Sequence, residues 1–160
     1  MKYFFILGRH ADLSLAEIES VLRRQKNDFT LINRGLDFVV LEVKKELKPH
    51  DFIQELGGTI KIGKVISEAT QITADIISDL IPGSEKKVHF GFSLHGFQFN
   101  LTKLGLETKK ILQDHGCKVR YVTSRENPLS SVIVQKNHLL DQGAEIVMMK
   151  INQKYLLGQT

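Results

Sequence analysis

Between Gly116 and Lys136 the chain reads GCKVRYVTSRENPLSSVIVQK, a stretch whose cations, hydroxyls and turn residues are spaced to grip a polyanion. Extended, it alternates Lys118 and Arg120 with Cys117, Val119, Tyr121 and Thr123, so a strand there gathers both cations on one face and the more apolar set on the other. Ser124-Arg125-Glu126-Asn127-Pro128 then breaks the pattern with turn chemistry and carries Arg125 alongside. Ser130 or Ser131 suits the cap of a helix whose first N–H groups face outward, a seat for a phosphate, and Lys136 follows on the same element. Contacts of this kind read a backbone rather than a base sequence. Tyr121 is expected to face inward, so base stacking is expected to contribute little. A solvated strand–loop–helix corner would have the same composition.

The elements that must position this stretch can be read in order. Lys2–Gly8 is a short apolar run of the length and residue types of a buried central strand. Ser14-Leu15-Ala16-Glu17 has the form of a capping box, after which Leu15, Ile18, Val21 and Leu22 repeat at helical spacing as far as Arg23-Arg24. Residues 28–33 and 36–43 read as a hairpin around Asn33-Arg34-Gly35. Pro49 opens a short helix that Gly57-Gly58 ends, and residues 59–67 return as a strand with Ile60 and Ile62 in phase. The order βαββαβ predicts a ferredoxin-like domain over residues 1–68.

Residues 69–160 restart the pattern. A helix over 73–80 is closed by Pro82-Gly83, and a strand over 86–93 puts Val88, Phe90 and Phe92 in phase. A helix opened near Asn100 turns Leu101, Leu104, Thr108, Ile111 and Leu112 inward, leaves Lys103, Lys109 and Lys110 outside as outer contacts for a polyanion, and stops at Gly116. After the basic strand, Val132-Ile133-Val134 favours a strand, while the Ser cap, Leu139-Leu140 and a closing Gly143 favour a helix; a helix is expected over 131–142, then two strands on either side of Asn152. The fold class is therefore α/β (α+β), with the ferredoxin-like domain packed on a second unit of mixed sheet and flanking helices.

Composition narrows the function. With 160 residues, 42% hydrophobic and 25% charged, the chain belongs with soluble globular proteins. Its net charge of +4 is uneven: from Lys86 to Lys136 nine Lys and Arg face only Glu107, Asp114 and Glu126, an excess of six that favours an anionic partner for this region. One cysteine, Cys117, excludes an internal disulfide and fits a reducing, cytoplasmic setting. The apolar start is too short for a signal peptide or a membrane span, so no membrane partner is expected.

No catalytic constellation stands out. The six histidines are scattered, and neither a GxxxxGK[ST] phosphate loop nor a GxSxG elbow is present, so no metal is expected. Asn127-Pro128 begins like the Asp/Asn-Pro-Pro-Tyr tetrapeptide with which amino-group methyltransferases grip their target nitrogen. It continues as Leu129-Ser130, lacking the second proline and the aromatic, and reads as a turn leading into a helix.

The segment from Tyr3-Phe4-Phe5-Ile6-Leu7-Gly8-Arg9-His10 through Leu13-Ser14-Leu15-Ala16-Glu17-Ile18 resembles the N-terminal ferredoxin-like domain of archaeal and eukaryotic-type tRNA guanine-N2 methyltransferases. Arg125, Leu129 to Asn137, Gly143-Ala144-Glu145 and Tyr155 to Thr160 resemble the THUMP domain that follows it. The resemblance implies a module that binds the acceptor end of tRNA. It also implies a separate catalytic methyltransferase domain, in cis or as another subunit, that uses S-adenosylmethionine; no cofactor is expected on these 160 residues. Two other classes stay open: the THUMP module of a thiouridine or pseudouridine synthase, and a regulatory ferredoxin-like module for a small ligand or protein. Steep weakening with salt separates RNA binding from the latter.

Overall fold

The described residues, 1–83 and 87–160 of a computed structural model, divide into two units, Met1–Val65 with Thr160 and Ile66–Gln159. In the first, the apolar run at the chain start is strand β1 (Lys2–Leu7), with Tyr3 to Leu7 all buried. It pairs antiparallel with β3 (Phe38–Val43) on one side and with β4 (Thr59–Ala69) on the other, and β2 (Phe29–Arg34) pairs antiparallel with β3. The strand order β2-β3-β1-β4 is that of the ferredoxin-like fold. Helices α1 (Ala11–Arg24) and α2 (Pro49–Ile53) bring Ile18, Val21, Leu22 and Phe52 onto Tyr3, Phe5, Val39, Leu41 and Ile62. Each such side chain contributes about 1.5–3 kcal/mol on burial. The domain limit expected at 68/69 lies within β4, which crosses from one unit into the other.

Two local expectations are corrected. α1 starts three residues before Ser14, at Ala11, and its N-cap His10 makes no side-chain cap. Ser14 is buried inside the helix and donates to the carbonyls of His10 (3.1 Å) and Gly58 (2.7 Å), while Glu17 accepts from the Gly57 and Gly58 amides at 2.9 Å each. The pair that resembled a reciprocal cap instead fastens α1 to the turn ahead of β4. Ile60 was expected in phase with Ile62, yet it is half exposed. The β1–β4 register goes from Ile6↔Lys61 to Leu7↔Thr59, and the bulge leaves Ile60 out of the pairing.

In the second unit, β5 (Val88–His95) runs parallel to β6 (Val119–Val122) and to β7 (Gly143–Ile151), and β8 (Lys154–Gln159) returns antiparallel to β7. The order is β8-β7-β5-β6, a mixed sheet. On one face α3 (Ala74–Ser78) and α4 (Leu101–Asp114) pack Ile77, Leu104 and Leu112 onto Phe90, Phe92, Ile146 and Met148. On the other face α5 (Ser131–Lys136) and its flanks set Leu129, Val134 and Leu139 against Val122. A Cβ at Gly91 would lie 2.7 Å from Leu129 Cδ1, so the absence of a side chain there lets this loop lie on the sheet. Lys86, the expected start of the β5 strand, is outside the described residues.

The helix expected over 131–142 ends at Lys136. His138 takes φ 55°, and the chain turns through to β7. Gly143 is not a helix stop. A Cβ on it would sit 2.2 Å from the His89 carbonyl oxygen, so its bareness is what lets β7 begin against β5. α3 is likewise shorter than 73–80, with the Thr73 hydroxyl as its N-cap, accepting from Ile76 N at 3.4 Å.

Candidate nucleic-acid interface

β6 ends the strand order of the second unit; Arg120 is exposed on it, and Lys118, expected within the strand, is exposed just before its start. Alternation puts Arg120 on the same face as Val122, the α5 side, while Val119 and Tyr121 turn into the core under α4. The Tyr121 hydroxyl donates to the Leu101 carbonyl (2.9 Å), and its ring stacks on Phe90 with centroids 5.3 Å apart. Burial pushes its phenol up to about 12. Cys117 is partly buried against the same core.

Arg125 lies on an exposed loop that is held from behind. The Asn127 side chain extends β5 pairing beyond the end of β6: its oxygen accepts from Leu94 N and its amide donates to the Phe92 carbonyl, both at 2.8 Å. Two residues on, Leu129 N donates to the buried Ser93 hydroxyl (3.0 Å), which in turn donates to buried Glu145 (2.6 Å). The amide of Asn127 is thus engaged with the backbone of β5 rather than offered to a target nitrogen. Ser130 caps α5, its hydroxyl accepting from Ile133 N at 3.4 Å. With only six residues α5 carries little dipole, and one of its free amides is already occupied, so the phosphate seat expected at Ser130-Ser131 is a weak one.

The candidate residues do not form a single patch. His89 Nδ1 lies 3.1 Å from the Asn137 carbonyl, which places the end of α5 at the start of β5, whereas Leu129 meets Ser93 near the other end. Lys118, whose carbonyl accepts from Val88 N, and Lys136 therefore lie toward the strand starts, and Arg125, Ser130 and Ser131 toward the strand ends, with Arg120 between. Four residues of β6 separate the two groups by about 13 Å. Lys103, Lys109 and Lys110 ride on α4, across the sheet from α5. Lys103 is in the first turn, 3.9 Å from Glu107, and Lys110 is about 10 Å further along the helix.

One group went unnoticed in the sequence. Beyond β5, Phe97 meets both Phe99 and Tyr155 of β8: Phe97 and Tyr155 centroids are 5.1 Å apart, and Phe97 and Phe99 centroids 6.4 Å. Lys150 Nζ stands 6.0 Å from the Tyr155 centroid. The signal that could have found them is the F-x-F spacing directly after a strand together with the Lys150/Lys154/Tyr155 cluster on a hairpin. Their meeting, however, depends on β7 pairing with both β5 and β8. Among the described residues, no group of three or more His, Cys, Asp or Glu could hold a metal, and no helix is long and apolar enough to cross a membrane.

No protein-family model matches the sequence, and no curated protein matches it significantly. Solved structures do share its fold. The chain is similar to PH1313 from Pyrococcus horikoshii Ot3, with a TM-score of 0.58, 7% identity, and coverage of 99% of this chain and 53% of that one. It is also similar to TrmN from Thermus thermophilus, with a TM-score of 0.57, 8% identity, and coverage of 99% of this chain and 45% of that one. These are THUMP-domain structures, and the likeness is one of fold: a ferredoxin-like unit followed by a THUMP-type α/β unit. The chain spans about half the length of the structures it matches.

Proposed function

We propose that the chain is the tRNA-binding portion of an S-adenosylmethionine-dependent tRNA guanine-N2 methyltransferase, presenting the acceptor end to a catalytic domain outside these 160 residues. The observation that carries this reading is the THUMP-type fold matched over 99% of the chain, with about half of each matched structure left over. The guanine-N2 assignment rests on the sequence resemblance at the two ends of the chain. The exposed cations of the second unit supply the chemistry: Arg120 on an edge strand and Arg125 on a loop anchored to β5 are exposed donors for phosphate oxygens. No cofactor site is assigned to this part, and affinity on its own is expected to be micromolar or weaker, the scale of non-specific phosphate binding.

The test is fluorescence anisotropy of tRNA with the purified chain over a range of salt. Arg120→Ala and Arg125→Ala are each expected to weaken binding and to lower the salt slope by about one. Arg23→Ala and Lys45→Ala, on the first unit, are expected to do neither. If the two sets behave alike, or if tRNA lacking its single-stranded acceptor end binds as well as intact tRNA, the proposed face is wrong.

A further inference from the structure

We infer that Phe99, backed by Phe97 and Tyr155 and flanked by Lys103 and Lys150, is a stacking platform for an unpaired base of bound RNA. The inference rests on the RNA-binding reading and goes beyond it by giving the chain a contact to a base as well as to the backbone.

The position in the fold comes first. β5 and β7 are parallel, with His95 level with Met149, so Gly96 to Phe99 and the Lys150–Lys154 turn leave the sheet together at the carboxyl ends of the strands. Open α/β sheets form their ligand crevices at that end. The Arg125 loop is fastened to Leu94 at the same end of β5.

The rings differ in what they can do. Phe97 and Tyr155 are partly buried and packed into the core, and they fix the base of the cluster. Phe99 is 41% exposed and stands edge-on to Phe97 at 68°. A ring held by its neighbours loses little freedom when a base stacks on it, and any base offers a π-face, so such a contact is tolerant of sequence. Phe99 itself lies outside that core cluster.

The charges around it select the occupant. Lys150 and Lys154 are exposed on the hairpin, and Lys150 sits over the Tyr155 ring. Phe99 also borders a cleft of about 720 Å³ between α3 and α4. That cleft is lined by Asp75, Glu107 and Asp114 as well as Lys103 and Lys110. Carboxylates there repel a phosphate run, while an apolar rim accepts an uncharged base. The arrangement therefore suits one base over Phe99 with its phosphate turned toward Lys150 of the hairpin. It does not suit a backbone track along the cleft.

The experiment uses the full chain and two RNAs, one a blunt hairpin and the other the same hairpin with a four-nucleotide single-stranded 3′ extension. Phe99→Ala is expected to weaken binding of the extended RNA about tenfold, the scale of one stacked base, and to leave the blunt RNA unchanged. Phe99→Tyr should restore wild-type affinity. In Phe99→Trp the indole emission should be quenched by the extended RNA and not by the blunt one. Equal affinity of wild type and Phe99→Ala for the extended RNA, or equal losses on both RNAs, overturns the platform. So does unquenched emission from Phe99→Trp with the extended RNA bound. If the extended RNA still binds better than the blunt one and Arg125→Ala weakens both, while Phe99→Ala changes neither, only the platform is lost; if the two RNAs bind alike, the acceptor-end reading falls with it. A wild-type chain that binds neither RNA overturns the RNA reading itself.

Discussion

Replacing Gly105 by Ala is expected to destabilise the second unit, against the usual benefit of alanine in a helix. Gly105 is buried in α4, and a Cβ built there lies 2.1 Å from Tyr121 Cε1 and 2.3 Å from Cζ. The ring would have to retreat by more than about 1 Å to reach an ordinary contact. It has nowhere to go, since Phe90 and Phe92 lie behind it with centroids 5.3 Å away and its hydroxyl is bonded to Leu101 O. Overpacking of this kind costs about 1–3 kcal/mol. Straining the tyrosine hydrogen bond costs about 1 kcal/mol more, and helix propensity returns about 1 kcal/mol. The last two offset each other, leaving a net loss of about 1–3 kcal/mol. Urea denaturation measures it, and a second background isolates the cause. In Tyr121→Leu the ring is gone, so adding Gly105→Ala should be neutral or stabilising by up to about 1 kcal/mol. If Gly105→Ala leaves the wild-type background unharmed, or costs the same in both, the contact with Tyr121 is not what keeps glycine at this position.

Further outcomes follow from the same core and loop. Leu104→Ala should cost about 2–5 kcal/mol in urea denaturation; a change within about half a kcal/mol would put that side of α4 in solvent. Asn127→Ala strips partners from Leu94 N and the Phe92 carbonyl, so amide exchange over residues 123–130 should accelerate while exchange in β7 does not; unchanged protection of the loop would show that the clamp is dispensable. Burial holds the Tyr121 phenol at about 12 against 10.0, so the folded chain keeps a proton that the unfolded chain releases. The resulting stability is complete below pH 10 and is lost as pH rises through 12, and Tyr121→Phe should remove that part of the urea-midpoint slope. Calorimetry with S-adenosylmethionine is expected to show no binding to the isolated chain; a micromolar site would contradict the division of labour proposed above.

What the sequence made legible follows from how local each signal is. The βαββαβ order could be read because each element carries its own pattern: an unbroken apolar run in β1, a 3.6-residue stripe in α1, Pro49 and Gly57-Gly58 around α2. Ser14 misled because its spacing to Glu17 is also that of two neighbours on one helix face, and only the path of Gly58 past that face decides which partner they take. Gly143 misled for the same reason. A glycine after a helical stretch reads as a stop, while its actual constraint is a strand that begins 2.2 Å too close for a side chain. The candidate site splits along this line. Arg120 and Tyr121 were assigned opposite faces by strand alternation alone, but nothing local tells that Phe99 and Tyr155, 56 positions apart, meet through Phe97.

The cations of the candidate face do not carry equal weight. β6 ends its sheet, and an edge strand with Arg120 exposed on it and Lys118 exposed at its start is also what a protein needs to keep other strands from pairing with it. Their presence is explained with or without RNA. Arg125 has no edge to guard. It rides on a loop that the fold fixes twice, through Asn127 on the backbone of β5 and through Leu129 on the Ser93 hydroxyl, with the buried carboxylate of Glu145 behind that hydroxyl. Burying a carboxylate and a hydroxyl at a loop attachment is costly unless they are satisfied, and a loop that only connected β6 to α5 would not need such anchoring. The salt dependence of Arg125→Ala therefore discriminates more sharply than that of Arg120→Ala. An exposed arginine on an anchored loop at the carboxyl ends of β5 and β6 is a feature that neither edge protection nor core packing accounts for.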